Sequence, residues 1–364
     1  SYDFTKIPYD DIVQVGQRTL LYRDLFTVSW LLGRFCNYKC SYCWPYARSD
    51  RKDHRPTELC LKTIDEIKRQ ARGNGFNSFH FSLSGGEPTF HPGYLTILKH
   101  LADDVVNTNY TSIQMTSNCS RNMKWFEDYV EKAKPFHRAS ITASLHTEHL
   151  NTREKMQDFA DKLILCQEHD VQITINMVMV PEWFERDWDN ALFFHEQGIN
   201  VTLKPQSDPT ASRVVDGYTD EMLQRLWNGM PQMAYTESKR KWAARPRPSF
   251  ELPPYAIGNN DKSVPWHMQV EFTDSKGKKW YMDQAERFNA FNFNKFKGWS
   301  CQAGYSGIII REPDGSIKRS YSCHDVPLGN IETGFKLFDG PRPCITESCV
   351  SSADSKIPKR KETT

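Results

Sequence analysis

The chain has 364 residues, with 47 Lys and Arg against 45 Asp and Glu, for a formal net charge of +2. That near-balance creates no broad basic field, which argues against nucleic acid as a partner. Hydrophobic residues are 38% and charged residues 25% of the chain, a globular composition with ample material for a core. No apolar run approaches the roughly eighteen residues of a membrane span. The opening SYDFTKIPYDDIVQ lacks the basic-then-apolar pattern of a signal peptide. The expectation is a cytoplasmic protein without membrane contact, of two domains or one large α/β domain with an extension.

In chain order, residues 1–24 read as an N-terminal extension, and the apolar run 25–33 (LFTVSWLLG) as a buried strand. Residues 57–72 predict a helix capped by Thr57, with Cys60, Ile64, Ile67 and Ala71 on one face. The alternating run NSFHFSL at 77–83 predicts a strand. The same alternation then repeats: helix 92–105, strand 111–117, helix 122–133, strand 138–144, helix 151–168, strand 171–180, helix 186–197, strand 199–205 and helix 218–230. Strands joined by helical crossovers imply a parallel sheet. Six such units over 25–232 predict an α/β fold, a partial (β/α)6 TIM-like barrel short of the eight units of a closed one.

The pattern breaks after that. Residues 243–267 carry Pro246, Pro248, Pro253, Pro254 and Pro265 among aromatics and read as a linker within a region 233–300. Hairpin signals follow at 271–282, turning at Ser275–Gly277, and at 308–321, turning at Pro313–Gly315. Residues 301–355 predict a small α+β domain, and 356–364 a mobile basic tail.

Ten cysteines without an export signal point to a reducing compartment and to metal-binding or catalytic thiols. Cys36, Cys40 and Cys43 form a CxxxCxxC loop directly after the first expected strand. Active sites of parallel α/β sheets lie beyond the carboxyl ends of the strands, so the loop is where a site belongs. Three thiolates so spaced suit three irons of a cubane and leave the fourth iron open. Zinc is the alternative and needs a fourth ligand. The nearest candidate, His54, lies in a charged stretch, RKDHRP, that reads as a solvated loop.

With SGGEPT at 84–89 after the second strand, the sequence resembles the radical S-adenosylmethionine (SAM) superfamily over roughly residues 25–230. The resemblance implies an enzyme in which Cys36, Cys40 and Cys43 hold a 4Fe-4S cluster whose open iron chelates SAM. Gly85, Gly86 and Glu87 would bind the methionine amino group, and Tyr42 would pack near the adenine. Glycines let backbone approach a ligand, and a carboxylate pairs with an ammonium. Alone, SGGEPT would be an ordinary strand-to-helix turn.

Other strand ends supply further candidates. These are Ser117 and Asn118 in QMTSNCS, Ser144 and His146 in SLHTEH, Asn176 in TINMVMV and Lys204 in TLKPQSD. By resemblance Ser144 and Asn176 would contact the ribose; a helix cap or turn is the alternative for each. Glu148, His146, Lys204 and Asp208 are candidates for substrate contact. Cys119 is a candidate hydrogen-atom donor, with a plain turn residue as the alternative. Trp44 and Tyr46 would wall the site or simply pack, and Cys60 and Cys166 read as core.

Cys301, Cys323, Cys344 and Cys349 surround the second hairpin. They resemble the C-terminal cluster-binding extension of many radical SAM enzymes, in its short, twitch-like form. That implies one auxiliary 4Fe-4S cluster with four thiolates and no open iron. A four-cysteine zinc site is the alternative. Its pairs lie 22 and five residues apart, whereas zinc ribbons favour two close pairs. Ser351 and Ser352 stand where some relatives have a further cysteine. The aromatic stretch 280–299 reads as cover for this second cluster, or as substrate pocket.

The expected activity is reductive cleavage of SAM to a 5′-deoxyadenosyl radical, fed by an external donor such as flavodoxin or ferredoxin. The radical takes hydrogen from a substrate, with the auxiliary cluster assisting net oxidation. Only about 24 residues precede the first expected strand, which favours a small molecule, a sugar or amino-acid derivative, over a ribosomally made peptide for cross-linking or epimerisation. The other classes are a non-catalytic iron–sulfur protein and a zinc-binding module.

Overall fold

Side-chain caps and apolar periodicity account for most of the helices. The computed structural model describes residues 3–17, 24–44, 48–209, 214–230, 264, 268, 270–324 and 327–362. After β1 (Ile12–Gln17) and β2 (Leu25–Leu31) come α1 (Thr57–Gly73), β3 (Ser78–Ser84), α2 (Tyr94–Ala102), β4 (Tyr110–Ser117), α3 (Met123–Ala133) and β5 (Arg138–Leu145). Then follow α4 (Arg153–Glu168), β6 (Gln172–Met179), α5 (Phe184–His195), β7 (Asn200–Pro205) and α6 (Asp220–Asn228). Asn122 and Thr152 accept hydrogen bonds from Trp125 N and Lys155 N and start α3 and α4. Thr57, expected as a cap, is instead the first residue of α1. Cys60, Ile64, Ile67 and Ala71 form the buried face of α1, and Cys166 is buried on α4, as the spacing predicts.

The chain divides into two units: Ser1–Ser29 with Lys62–Phe79 and Leu252–Thr364, and Trp30–Leu61 with His80–Glu251. The second unit carries the α/β alternation. Its strands β4, β5, β6 and β7 lie in sequence order and pair in parallel. This is a mixed α/β fold with a parallel sheet, consistent with the expected partial barrel. The pleat separates two faces. Ala143, Leu145, Ile175, Met177, Val201 and Leu203 are buried, while the alternate positions are polar and partly exposed. In register, Thr142 faces Thr174 across the pair and Ser144 faces Asn176, which in turn faces Thr202. Gln114 Nε2 donates to Thr142 Oγ1 at 3.0 Å and its Oε1 accepts from Ser82 Oγ, which ties β3, β4 and β5 on that polar face.

The first unit is mostly antiparallel. Strands β8 (Val270–Asp274), β9 (Lys279–Met282), β10 (Ser300–Cys301), β11 (Gly307–Ile310) and β12 (Ser316–Lys318) confirm both hairpin turns. They are followed by β13 (Gly329–Asn330), β14 (Gly334–Phe335), β15 (Arg342–Pro343), α7 (Ser352–Ser355) and β16 (Lys359–Arg360). One six-stranded sheet runs β15-β10-β16-β1-β8-β9. Phe272, Phe288, Phe293, Phe296 and Trp299 pack edge-to-face or tilted in its core, together with Cys344 and Cys349. The aromatic stretch is therefore core and cover for these two cysteines.

Three expectations change. Residues 12–17, read as part of an extension, form a strand between β8 and β16. Residues 270–300 share their sheet with β10, β15 and β16, so no packing boundary falls at 300/301. The tail read as mobile contains β16, where Lys359 is buried and its ammonium donates to the carbonyls of Asp354, Ser355 and Ile357 at 2.7–3.0 Å. A buried ammonium persists only where carbonyls replace its water, and β16 supplies that geometry. The Pro-rich reading at 243–267, Val264 apart, lies outside the described residues, as does Tyr46.

Deleting residues 356–364 removes a strand from between β1 and β10. The truncated protein is expected to melt several degrees below the full chain in a thermal scan, whereas loss of a mobile tail would leave the midpoint unchanged.

Candidate active site: the cysteine loop and its seat

The loop after β2 and the turn after β3 meet backbone to backbone. Gly86 N donates to Gly33 O at 3.0 Å, and Glu87 N to Phe35 O at 2.6 Å. A Cβ on Gly85 would stand 2.2 Å from Gly33 O, and one on Gly86 2.2 Å from Arg34 O and 2.4 Å from Phe35 O. Gly85 also has φ +143°, a conformation side chains disfavour. The glycines thus seat the segment that leads into the cysteine loop, a role the sequence reading assigned to approach of a ligand.

Glu87 is 2% exposed, and protein donors take up its carboxylate. Oε1 accepts from Asn118 N at 2.6 Å, and Oε2 from Ser117 Oγ at 2.7 Å and Thr89 Oγ1 at 2.5 Å. Burial pushes its carboxyl up, against the opposing pull of these hydrogen bonds. Glu87, expected to bind an ammonium, here locks the end of β3 to the end of β4. Ser117 and Asn118 are buried with it. Asn118 Nδ2 continues outward to Asn37 Oδ1 at 2.9 Å and to Cys36 Sγ at 3.9 Å.

Each residue between the cysteines except Lys39 is held by an adjacent strand end. Asn37 Nδ2 donates to Ser120 Oγ at 3.0 Å. Tyr38 stacks on His149 at 4.1 Å and 4° and meets His146 edge-on. Ser41 donates through its amide and its hydroxyl to Glu148 Oε1, at 3.1 and 2.7 Å. Tyr42 stacks on His146, and its hydroxyl is hydrogen-bonded to His146 Nδ1. Desolvation pulls His146 down to about 4, so its ring is neutral. Tyr42, expected beside an adenine, is paired with His146. On the other side of the loop Arg48 Nη2 donates to Cys36 O at 2.8 Å. His54, expected in a solvated loop, is half-buried edge-on to Phe35 and His91, and burial lowers its basicity.

The thiols suit a soft metal cluster. Burial raises Cys36 and Cys43 and takes Cys40 to about 12, with the neighbouring cysteines and Glu148 adding to the shift of Cys40. Thiolates that burial disfavours this strongly need a cation to hold their charge, and iron supplies one. Among the described residues, no three His, Cys, Asp or Glu side chains converge as ligands of one metal ion. A cubane asks for something different, one thiolate on each of three irons.

Ser144 and Asn176 lie side by side on the polar face of β5 and β6, and Lys204 lies on β7 opposite Val178. Cys119 is set apart from them. It has φ +53°, is buried, and its thiol, pushed far up by burial, points to Ser117 O at 3.7 Å. It lines a cavity of about 510 Å³ with Tyr38, Leu150, Phe159 and Lys162, and no residue of β5, β6 or β7 contributes to that lining. Trp44 is exposed beyond the loop.

In the first unit, Cys301 is opposite Arg342 and Lys359 in its sheet, and Cys344 N donates to Trp299 O at 2.7 Å. The turn before Cys323 is pinned by Asp354, whose oxygens accept from Tyr321 N and Ser322 N at 3.2 and 2.6 Å. Burial takes Cys349 to about 12, with Lys359 pulling it back. Ser351 and Ser352 open α7.

Residues 30–195 match the family model of the radical SAM superfamily, so the chain carries a radical SAM domain over that stretch. The family marks an enzyme and implies a 4Fe-4S cluster and SAM as cofactors. No curated protein matches the chain. Among solved structures, native anSMEcpe with bound AdoMet is 15% identical, with 85% of this chain and 79% of that one covered and a TM-score of 0.49. A histidine-tagged form with AdoMet is 14% identical, with 85% and 76% covered and a TM-score of 0.49. Coproporphyrinogen III oxidase (HemN) from Escherichia coli, described as a radical SAM enzyme, is 12% identical, with 63% and 59% covered and a TM-score of 0.35. Among the described residues no helix is long and apolar enough to cross a membrane.

Sequence reasoning missed Asn37, Tyr38, Ser41, Arg48, Ser120 and His149. Their signal was present as polar and aromatic residues at every position between the cysteines but one, and as a second histidine three residues after His146.

Replacing Glu87 by Ala removes an acceptor from two hydroxyls and a buried amide. Urea unfolding is expected to show a loss of about 2–4 kcal/mol.

Proposed function

We propose that the chain is a radical SAM enzyme that cleaves SAM reductively and takes a hydrogen atom from a small polar molecule, a sugar or amino-acid derivative. The observation that carries this reading is the meeting of the CxxxCxxC loop with the SGGEPT turn at adjacent strand ends within the domain matched by the family model. When bound, the cluster and SAM supply a 5′-deoxyadenosyl radical.

The chain's own residues do the rest. Cys36, Cys40 and Cys43 hold three irons. Gly85 and Gly86 fix the loop's approach. The polar face of β5, β6 and β7, with Thr142, Ser144, Asn176 and Thr202, offers hydroxyls and amides to ribose and substrate, and Lys204 offers a cation to an anionic group. A face of hydrogen-bonding groups suits a polar metabolite. The donor of the electron is an external flavodoxin or ferredoxin type of protein.

Cys301, Cys323, Cys344 and Cys349 hold an auxiliary 4Fe-4S cluster that assists a net oxidation. Three of the four thiols are buried in one unit, Cys349 lies near a buried ammonium, and the turn before Cys323 is held by a buried carboxylate. Desolvated thiols with a fixed cation nearby suit a buried anionic cluster.

Anaerobic reconstitution tests the reading. About eight irons per chain are expected, with 5′-deoxyadenosine on addition of dithionite and SAM in the presence of candidate polar substrates. Cys36→Ala, Cys40→Ala and Cys43→Ala each abolish the nucleoside. Cys301→Ala lowers iron toward about four and leaves SAM cleavage intact. Iron without SAM cleavage points to an electron-transfer protein, and a colourless protein to zinc.

A further inference from the structure

The turn that follows β5, His146–His149, touches the cysteine loop at three points. Tyr38, Ser41 and Tyr42 all reach it, and they stand between the first and second or the second and third cysteines. Two of these contacts are made by aromatic rings. The third differs in kind. Glu148 brings a carboxylate to the loop, and a single oxygen of it accepts both the amide and the hydroxyl of Ser41, the residue next to Cys40.

These two bonds fix the carboxylate beside the residue that follows Cys40 in the loop. On the other side of the loop, Lys39 and Arg48 share one carboxylate, that of Asp50, at 3.8 and 2.8 Å. A fixed negative charge beside an iron–sulfur cluster opposes the arrival of an electron, because the reduced cluster is the more negative. Its effect reaches over several ångströms.

We propose that Glu148 is a positioning and potential-setting residue. It anchors the cysteine loop through Ser41 and lowers the reduction potential of the cluster that Cys36, Cys40 and Cys43 hold. The inference rests on the radical SAM reading of that loop. A lower potential makes the reduced cluster the stronger one-electron donor, as reductive cleavage of SAM requires. Glu148, a candidate for substrate contact by sequence, thus acts on the cluster side of the site.

The test is a redox titration followed by electron paramagnetic resonance, with the reconstituted full chain and no substrate. Cys301→Ala serves as the background, so that one cluster is read. Glu148→Gln keeps the shape and an acceptor oxygen for Ser41 and removes the charge. It is expected to raise the midpoint so that the ratio of reduced to oxidised cluster at a fixed potential increases about tenfold, ~59 mV for one electron. Glu148→Asp should shift the midpoint less than Glu148→Gln does. Ser41→Ala, which removes one hydrogen bond and keeps the charge, should not raise the midpoint. An unchanged midpoint in Glu148→Gln overturns the proposal. So does a folded Glu148→Gln protein, by circular dichroism, that no longer holds iron, since the residue would then be only a seat for the loop. A background protein that assembles no cluster overturns the radical SAM reading itself, and this inference with it.

Discussion

The candidate site depends on one close approach, that of Gly85 and Gly86 to the backbone of residues 33–35. At 2.2 Å to a carbonyl oxygen, there is no room for a single methyl group at either position. Two ladder-like hydrogen bonds hold the contact, and they carry the turn after β3 against the entry to the cysteine loop. Everything placed farther along that loop inherits its position from here. Glu87 extends the same logic by one residue, since its buried carboxylate gathers the end of β4 onto the same point.

From that seat outward, the loop is held through the residues between its cysteines. Asn37 and Asn118 tie it to the end of β4, and Tyr38, Ser41 and Tyr42 tie it to the turn after β5. The thiols are thereby partly withdrawn from water, which makes their ionised forms costly in the absence of iron and favours the bound metal. The second group of cysteines follows similar physics with different means. An aromatic core desolvates Cys344 and Cys349, and Lys359 and Asp354, both buried and fully hydrogen-bonded, hold the nearby turns.

Much of the fold could be read in advance because its signals are local. The 3.6-residue spacing of Cys60, Ile64, Ile67 and Ala71, and the period-2 runs of β4 to β7, depend only on near neighbours in the chain. Element ends within those runs moved by no more than three residues. The failures are all of longer range. β1 was read as part of an extension because its partners lie some 250 and 350 residues away, and β16 is two residues of a basic tail that pair only because β1 and β10 leave a place for them. Lys359 looked like a solvated charge, since no local pattern announces three carbonyls assembled by a distant packing.

The site divides along the same line. The amino-acid sequence by itself determined the class of chemistry, since the spacing of Cys36, Cys40 and Cys43, with SGGEPT one strand later, is a property of the chain's order. It also determined which strand ends carry polar residues. Only the tertiary structure decided what those residues touch. Glu87 turned inward to bind hydroxyls and an amide, Tyr42 met His146, Cys119 came to line a cavity with Tyr38 and Lys162, and Glu148 reached Ser41. Each of these outcomes rests on a contact between segments some 30 to 107 residues apart, or on the direction in which a buried side chain finds its hydrogen bonds, and no pattern of neighbouring residues encodes either.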